Sequence, residues 1–235
     1  GVGDLTQGMF DKNSSTSMYN VYKNTSAQLG INNSQFNSFK NGLMNQLSKS
    51  DNFFNFGWKD TADYLNKLGE LNITSQEMAE QQYLAVLQGT KYLGLQTDTQ
   101  AKILKISRDT GNMDLLQSTN ENMVKIMNAQ LGISKDQLNQ MVNQAASLTE
   151  MSVFLGGDGD ALKQLTQIQA AVTKEYGKQT SDAAMNILAD IMNNPYSSKY
   201  LTNGFIAGNY QSILDAINSG NMGDAMKLII DSVKN

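Results

Sequence analysis

Leu131-Gly132-Ile133-Ser134-Lys135-Asp136-Gln137 is the stretch on which the fold turns, because it spells the end of one helix and the start of the next. Gly132 follows the last apolar residue of an amphipathic run and is free to take the left-handed conformation that closes a helix. Ile133 is then placed to pack back on the helix just ended, as in a Schellman turn. Ser134 is a capping residue with Gln137 three positions on. That is the spacing of a capping box, in which two orphan amide donors are satisfied by each other's side chains. The same logic is written three more times, at Leu29-Gly30-Ile31-Asn32-Asn33-Ser34-Gln35, Leu71-Asn72-Ile73-Thr74-Ser75-Gln76-Glu77 and Leu93-Gly94-Leu95-Gln96-Thr97. The expected cap pairs are Asn32/Gln35, Thr74/Glu77, Thr97/Gln100 and Ser134/Gln137. The phrases begin at 29, 71, 93 and 131, intervals too uneven for a solenoid whose stacking geometry sets the repeat length. One helix-turn-helix solution is used repeatedly.

Outward from these phrases, the rest of the 235 residues supports an all-α chain. A single proline, Pro195, leaves long helices uninterrupted, and thirteen Met with frequent Leu, Ile and Ala supply helical core material. Nowhere do Val, Thr and aromatic residues alternate as a half-buried strand requires. Apolar spacing predicts helices near 14–28, 33–47, 59–68, 75–92, 98–106, 113–130 and 135–155. Further helices are expected from 161 to 176, from 180 to 192, and at 210–218 and 224–233. Leu138, Met141, Val142, Ala145, Leu148, Ser152 and Leu155 trace one continuous inward stripe. Residues 195–209 read as irregular. The expectation is a compact multi-helix bundle of about ten capped amphipathic helices joined by short Gly/Asn turns. Its parts are N-terminal helices at 1–58, a helix-turn-helix core at 59–177 and short C-terminal helices at 178–235, in one continuous domain.

Charge and composition remove several functional classes. The net charge is −4, and a single Arg among eighteen basic residues leaves no arginine cluster for phosphate. There is no basic stripe with interleaved aromatics, so specific nucleic-acid binding is not expected. Cys and His are both absent, which removes disulfides, thiol nucleophiles, the usual zinc ligands and the side chain best suited to proton transfer near neutral pH. No apolar run approaches the ~20 residues that span a bilayer. A chain opening Gly-Val-Gly-Asp, without Met, reads as an internal fragment or a processed product. Asn and Gln make up 46 residues, enough to give the helices a neutral, hydrated surface.

Individual motifs carry no chemistry. Gly156-Gly157-Asp158-Gly159-Asp160 fails as a calcium EF-hand, because Leu162 falls where an oxygen ligand must stand. It fails as a glycine-rich calcium repeat because Ala161 replaces the final Asp. Asp160 is instead expected to cap the helix beginning at Ala161, and the same wording recurs at Gly223-Asp224-Ala225-Met226-Lys227. Gly89-Thr90-Lys91 and Gly177-Lys178-Gln179 lack the upstream Gly of a phosphate loop. The glutamates, Glu70, Glu77, Glu80, Glu121, Glu150 and Glu175, look like caps or solvated faces, not the paired carboxylates of a glycosidase. No catalytic, cofactor-binding or metal-ligating residue is assigned, and no enzyme activity is expected. Phe53, Phe54, Phe56 and Trp58 form an aromatic break that is either a plug between helices or a partner-binding patch.

The wording of Leu93-Gly94-Leu95-Gln96-Thr97-Asp98-Thr99-Gln100-Ala101-Lys102-Ile103, followed by Ile106-Ser107-Arg108-Asp109-Thr110-Gly111, resembles the helical region of bacteriophage tail tape measure proteins. Leu131-Gly132-Ile133-Ser134 and Phe154-Leu155-Gly156-Gly157-Asp158 are similar, so the likeness runs from about 71 to 177. It implies a structural virion protein made in the bacterial host cytoplasm. Such a protein sets tail length, lies in several copies against tail tube or baseplate subunits, and leaves with the DNA during infection. It assigns no catalytic or ligand residue. The aromatic breaks and high Asn content depart from a rod, and suit a folded terminal domain or another internal virion protein ejected with the genome. A murein-degrading helical domain is the alternative from a different class.

Overall fold

The computed structural model describes residues 18–49, 56–196, 198–201 and 204–234, and among them no strand forms. The protein is all-α. It divides into two compact units, Gly1–Tyr92 and Leu93–Asn235. The division falls inside the stretch expected to be one core, and the expected boundaries at 58/59 and 177/178 each lie within a unit. Sequence patterning marks every helix end alike, so it does not show across which turn the packing is interrupted.

The first unit holds α1 (Met18–Leu29), α2 (Asn33–Lys49), α3 (Trp58–Lys67) and α4 (Gln76–Lys91). Phe36, Phe39 and Leu43 form the inward face of α2, and Tyr22 of α1 meets the Phe36 ring edge-on at 5.0 Å. Gly30 and Asn72 take positive φ, and the amides of Ile31 and Ile73 reach back to the carbonyls of Ser26 and Leu68, as Schellman turns require. The Asn32/Gln35 box forms, with both reciprocal bonds at 2.9 Å. At α4 the cap is Ser75, whose hydroxyl accepts from Met78 N–H at 3.1 Å, so the expected Thr74/Glu77 pair is displaced by one residue.

The second unit contains α5 (Thr97–Thr110), α6 (Leu115–Asn128), α7 (Lys135–Phe154), α8 (Asp160–Tyr176), α9 (Lys178–Asn193), α10 (Ser198–Leu201), α11 (Gly204–Ala207), α12 (Tyr210–Asn218) and α13 (Met222–Val233). Helix α8 is central, packing on α6, α7, α9 and α13. Its inward stripe, including Leu162, Leu165 and Ala170, is buried. Cross-helix bonds give the directions. Gln96 bonds Asn139 and Lys102 reaches Asn143 and Ser147, so α5 runs with α7; Asn122 bonds Thr166, and Leu115 lies near Gly159, so α6 runs with α8. Gln164 accepts from Gly223 N–H and Lys234 stands over the Tyr176 ring, so α13 also runs with α8. The unit is an up-and-down bundle with a distal end, where α5, α7 and α9 finish and α6, α8 and α13 begin.

The caps here divide by whether a distant side chain intervenes. The Ser134/Gln137 box forms, at 3.1 and 2.8 Å. Thr97 does not cap α5: Gln96 precedes the helix, its N–H bonds Asn139 Oδ1 at 2.8 Å, and Gln100 turns back to the Leu95 carbonyl. Asp160 is likewise inside the first turn of α8, and it is Asp158 that accepts the Asp160 amide at 3.0 Å. Asp224 also lies in a first turn, behind Asn221. The 195–209 stretch contains the single-turn helices α10 and α11 where irregular chain was expected. Replacing Ser134 by Ala removes one half of a formed box. It is expected to cost about 1 kcal/mol in urea unfolding followed by circular dichroism, with Ser134→Asp costing a few tenths.

Candidate functional site

Of the four aromatic residues singled out, Phe53 and Phe54 lie outside the described residues, while Phe56 and Trp58 are half-buried. Trp58 opens α3 and shares a crevice of about 10 Å³ with Met18, Met44, Ala62 and Leu65, no larger than one water molecule needs. The chain turns into α3 at Gly57, which has no side chain to offer. Asp60, three residues on, accepts the Gly57 amide at 2.6 Å and the Lys91 ammonium at 2.7 Å.

Beneath this entry lies the polar interior of the first unit. Thr61 Oγ1 and the Tyr83 hydroxyl share a hydrogen bond, and the Tyr64 hydroxyl donates to the Ala79 carbonyl at 2.6 Å. The two tyrosine rings lie 4.9 Å apart. Burial, with the neighbouring Tyr83, raises the Tyr64 pKa; burial also raises that of Tyr83, helped by the Asp60 charge and opposed by the Thr61 bond. Both hydroxyls therefore stay protonated at neutral pH, inside the packing and out of reach of a substrate. They bolt α3 to α4.

In the second unit a groove of about 580 Å³ runs between the starts of α5 and α7. Its central groups are engaged with one another: Asn139 holds Gln96 N–H, and Lys102 holds Asn143 and Ser147. A second groove of about 360 Å³ lies between α8 and α13 beside Gln164 and Lys227, and Gln164 is committed to Gly223. Near the α9–α10 connection, Tyr200 donates to Asp190 at 2.5 Å, and burial first, then that carboxylate, pushes its pKa up to about 12. Among the described residues no group of three or more His, Cys, Asp or Glu is gathered where a metal could bind, and no helix is long and apolar enough to cross a membrane.

What stands out instead is the distal end of the second unit. Phe154 is 90 % exposed and Leu155 60 %, at the tip where α7 meets α8. Tyr196, just beyond α9, is 89 % exposed, and Met113, between α5 and α6, is 36 % exposed. Leu155 was expected on the inward stripe of α7; the helix closes at Phe154, and Gly156 at φ 97° turns the chain before Leu155 can face the core. The stripe's period was legible in the sequence, but the point where the neighbouring helices stop was not.

No family model matches the chain, and neither a curated protein nor a solved structure matches it.

Proposed function

We propose that the chain is a structural, non-enzymatic part of a bacteriophage virion, similar to a tail tape measure protein, acting by shape and association. The observation that carries this reading is the wording of residues 93–111, a Leu-Gly-Leu turn, polar cap and Ala/Lys amphipathic segment that resembles the helical regions of those proteins. Two features support association over catalysis. Tyr64 and Tyr83 of the first unit are buried within helix packing, and the three most exposed large apolar side chains described in the second unit, Phe154, Tyr196 and Leu155, stand at one end. Tail tube or baseplate subunits are the proposed partners, with several copies per virion and passage with the DNA during infection. The 53–58 aromatic stretch remains a proposed contact, with Phe56 and Trp58 half-exposed.

The test is genetic and visual. A nonsense codon in the gene is expected to leave particles with missing or length-altered tails in electron micrographs, and antibody against the second unit is expected to label intact virions. Normal tails from the null mutant, with the protein still found in wild-type particles, would replace the tape-measure role by that of another internal virion protein. Clearing of a murein zymogram by the purified chain would overturn the non-enzymatic assignment.

A further inference from the structure

We infer that the groove between the starts of α5 and α7 is a binding site for an uncharged saccharide. The inference goes beyond the association role proposed above and does not depend on it. At about 580 Å³ the groove falls within the range of roughly 300–1,000 Å³ usual for small-molecule sites. Such sites are lined mostly by apolar and aromatic side chains. Here every lining side chain is polar. The floor is fixed by bonds between the two helices, and each fixed group keeps a hydrogen-bonding valence. Asn139, 6 % exposed, gives its Oδ1 to the Gln96 amide at 2.8 Å, which leaves the Nδ2 donors. Asn143 Oδ1 and Ser147 Oγ take two of the three N–H donors of Lys102, at 2.9 and 3.0 Å, which leaves the third and the Asn143 Nδ2. Thr99 is 2 % exposed, and its hydroxyl, on the groove wall, has no partner among the described residues.

The balance of charge chooses the ligand. Asp98 and Asp136 stand exposed on the rim. Against them are Lys102 on the floor and Lys135, whose stem lies against Gly94 beside the groove. Two carboxylates and two ammonium groups cancel at a distance, so a ligand of either sign gains nothing from the field. A base, a lipid or an aromatic cofactor finds no apolar wall to rest on. The fitting ligand donates to carboxylates and accepts from ammonium and amide groups within a small span. A hydroxyl does both through one atom, whereas a peptide group divides the two tasks between N–H and C=O. A saccharide carries several hydroxyls at fixed spacing, and the cross-helix bonds of the floor hold their partners in place before binding, which lowers the ordering cost.

The full chain, labelled with heavy nitrogen, is titrated with maltotriose, lactose and triacetylchitotriose while its amide shifts are followed by NMR. At least one of these saccharides is expected to give saturable shifts grouped at Gln96, Thr99, Asn139 and Asn143. Glucose binding as tightly as the best of them assigns the site to free sugar, and weaker glucose binding assigns it to a glycan chain; both support a saccharide site. Thr99→Val, which keeps the shape and removes the hydroxyl, should weaken binding about fivefold. Gln140→Ala, at an exposed position on the groove that leaves the packing intact, should weaken it severalfold. Gln167→Ala, on the groove between α8 and α13, should change nothing. Circular dichroism checks that each variant is folded. The inference is overturned if no saccharide saturates, if the shifts fall away from the groove, or if neither groove variant weakens binding. It is also overturned if glucose 6-phosphate binds more tightly than glucose, or if N-acetyl-triglycine amide binds as tightly as the saccharides. None of these results bears on tail morphology or virion labelling, so the two proposals stand or fall separately.

Discussion

Gln169→Glu is expected to make the second unit about 3–5 kcal/mol less stable at neutral to mildly alkaline pH, and to recover most of that loss in acid. Gln169 lies on the inward face of α8, fully buried, and its Nε2 donates to the Met141 carbonyl of α7 at 3.0 Å. Its Oε1 has no partner among the described residues, nor has the hydroxyl of Thr173 one turn on. A carboxylate there loses the donor, sets oxygen against the Met141 oxygen and leaves an unpaired charge in the core. Burial raises its folded pKa above the ordinary value of about 4.3. The folded state then holds a proton that the unfolded state releases, so stability falls as pH rises from about 4.3 to the folded pKa and is flat above it. Below about pH 4.3 the neutral acid can donate to Met141 again. Urea unfolding of variant and parent at matched pH measures the difference. Gln169→Leu removes both the donor and the orphan acceptor, and should fall within about 1 kcal/mol of the parent. Equal losses for Glu and Leu, or a pH-independent Glu deficit, would refute this account of the α7–α8 contact.

The same contact shows where sequence reasoning ends. A glutamine on an amphipathic stripe reads as a boundary residue, and nothing local says that its amide crosses to a carbonyl 28 positions away. What was legible was local by nature. The boxes at Asn32/Gln35 and Ser134/Gln137 formed because every partner lies within four residues. Positive φ at Gly30, Asn72, Gly94 and Gly132 followed from residue type and place. Yet Gln130 also takes φ 52°, just past the end of α6 at Asn128, so Gly132 serves the connection, not the helix end. The Thr97 cap was lost to Asn139, 43 residues on. The turns α10 and α11 escaped notice because a single turn has too few internal bonds to declare itself. Their neighbourhood is tied down from outside, by Tyr200 on Asp190 and by the Tyr210 hydroxyl on the Pro195 carbonyl.

The candidate site was less legible than the fold for a related reason. Aromatic density at 53–58 is a property of the string, whereas exposure depends on where neighbouring helices stop. Leu155 continues a regular apolar stripe, and only the close of α7 at Phe154 with the turn at Gly156 carries it past the packed region. Asp160 alone read as the helix cap, and the structure shares the work between it and Asp158, with Asp158 accepting the amide and Asp160 bonding the Asn112 side chain at 2.8 Å. Helical periodicity thus identified the oily faces, but which of them meets a partner is a tertiary fact.

Phe39→Ala should be the most damaging single change in the first unit, at about 3–5 kcal/mol. Helix α2 reads Asn-Ser-Gln-Phe-Asn-Ser-Phe-Lys-Asn-Gly-Leu, and its Asn, Ser and Gly42 are poor helix formers in an interior. Its helicity is therefore supplied by packing, through Phe36, Phe39 and Leu43 against α1, α3 and α4. Phe39 is fully buried, and removing its ring leaves a cavity among helices that have little propensity to hold shape alone. The chain's single tryptophan, Trp58, begins α3 in this same unit, so its emission reports on the first unit and carries no tryptophan signal from the second. The denaturation midpoint read from Trp58 should drop sharply in Phe39→Ala. Phe154→Ala, which trims an almost wholly exposed ring, should move it by less than about 0.5 kcal/mol. A Trp58 transition unmoved by the loss of Phe39 would mean that α2 does not depend on this buried face, and that its weak helix formers suffice without the packing described above.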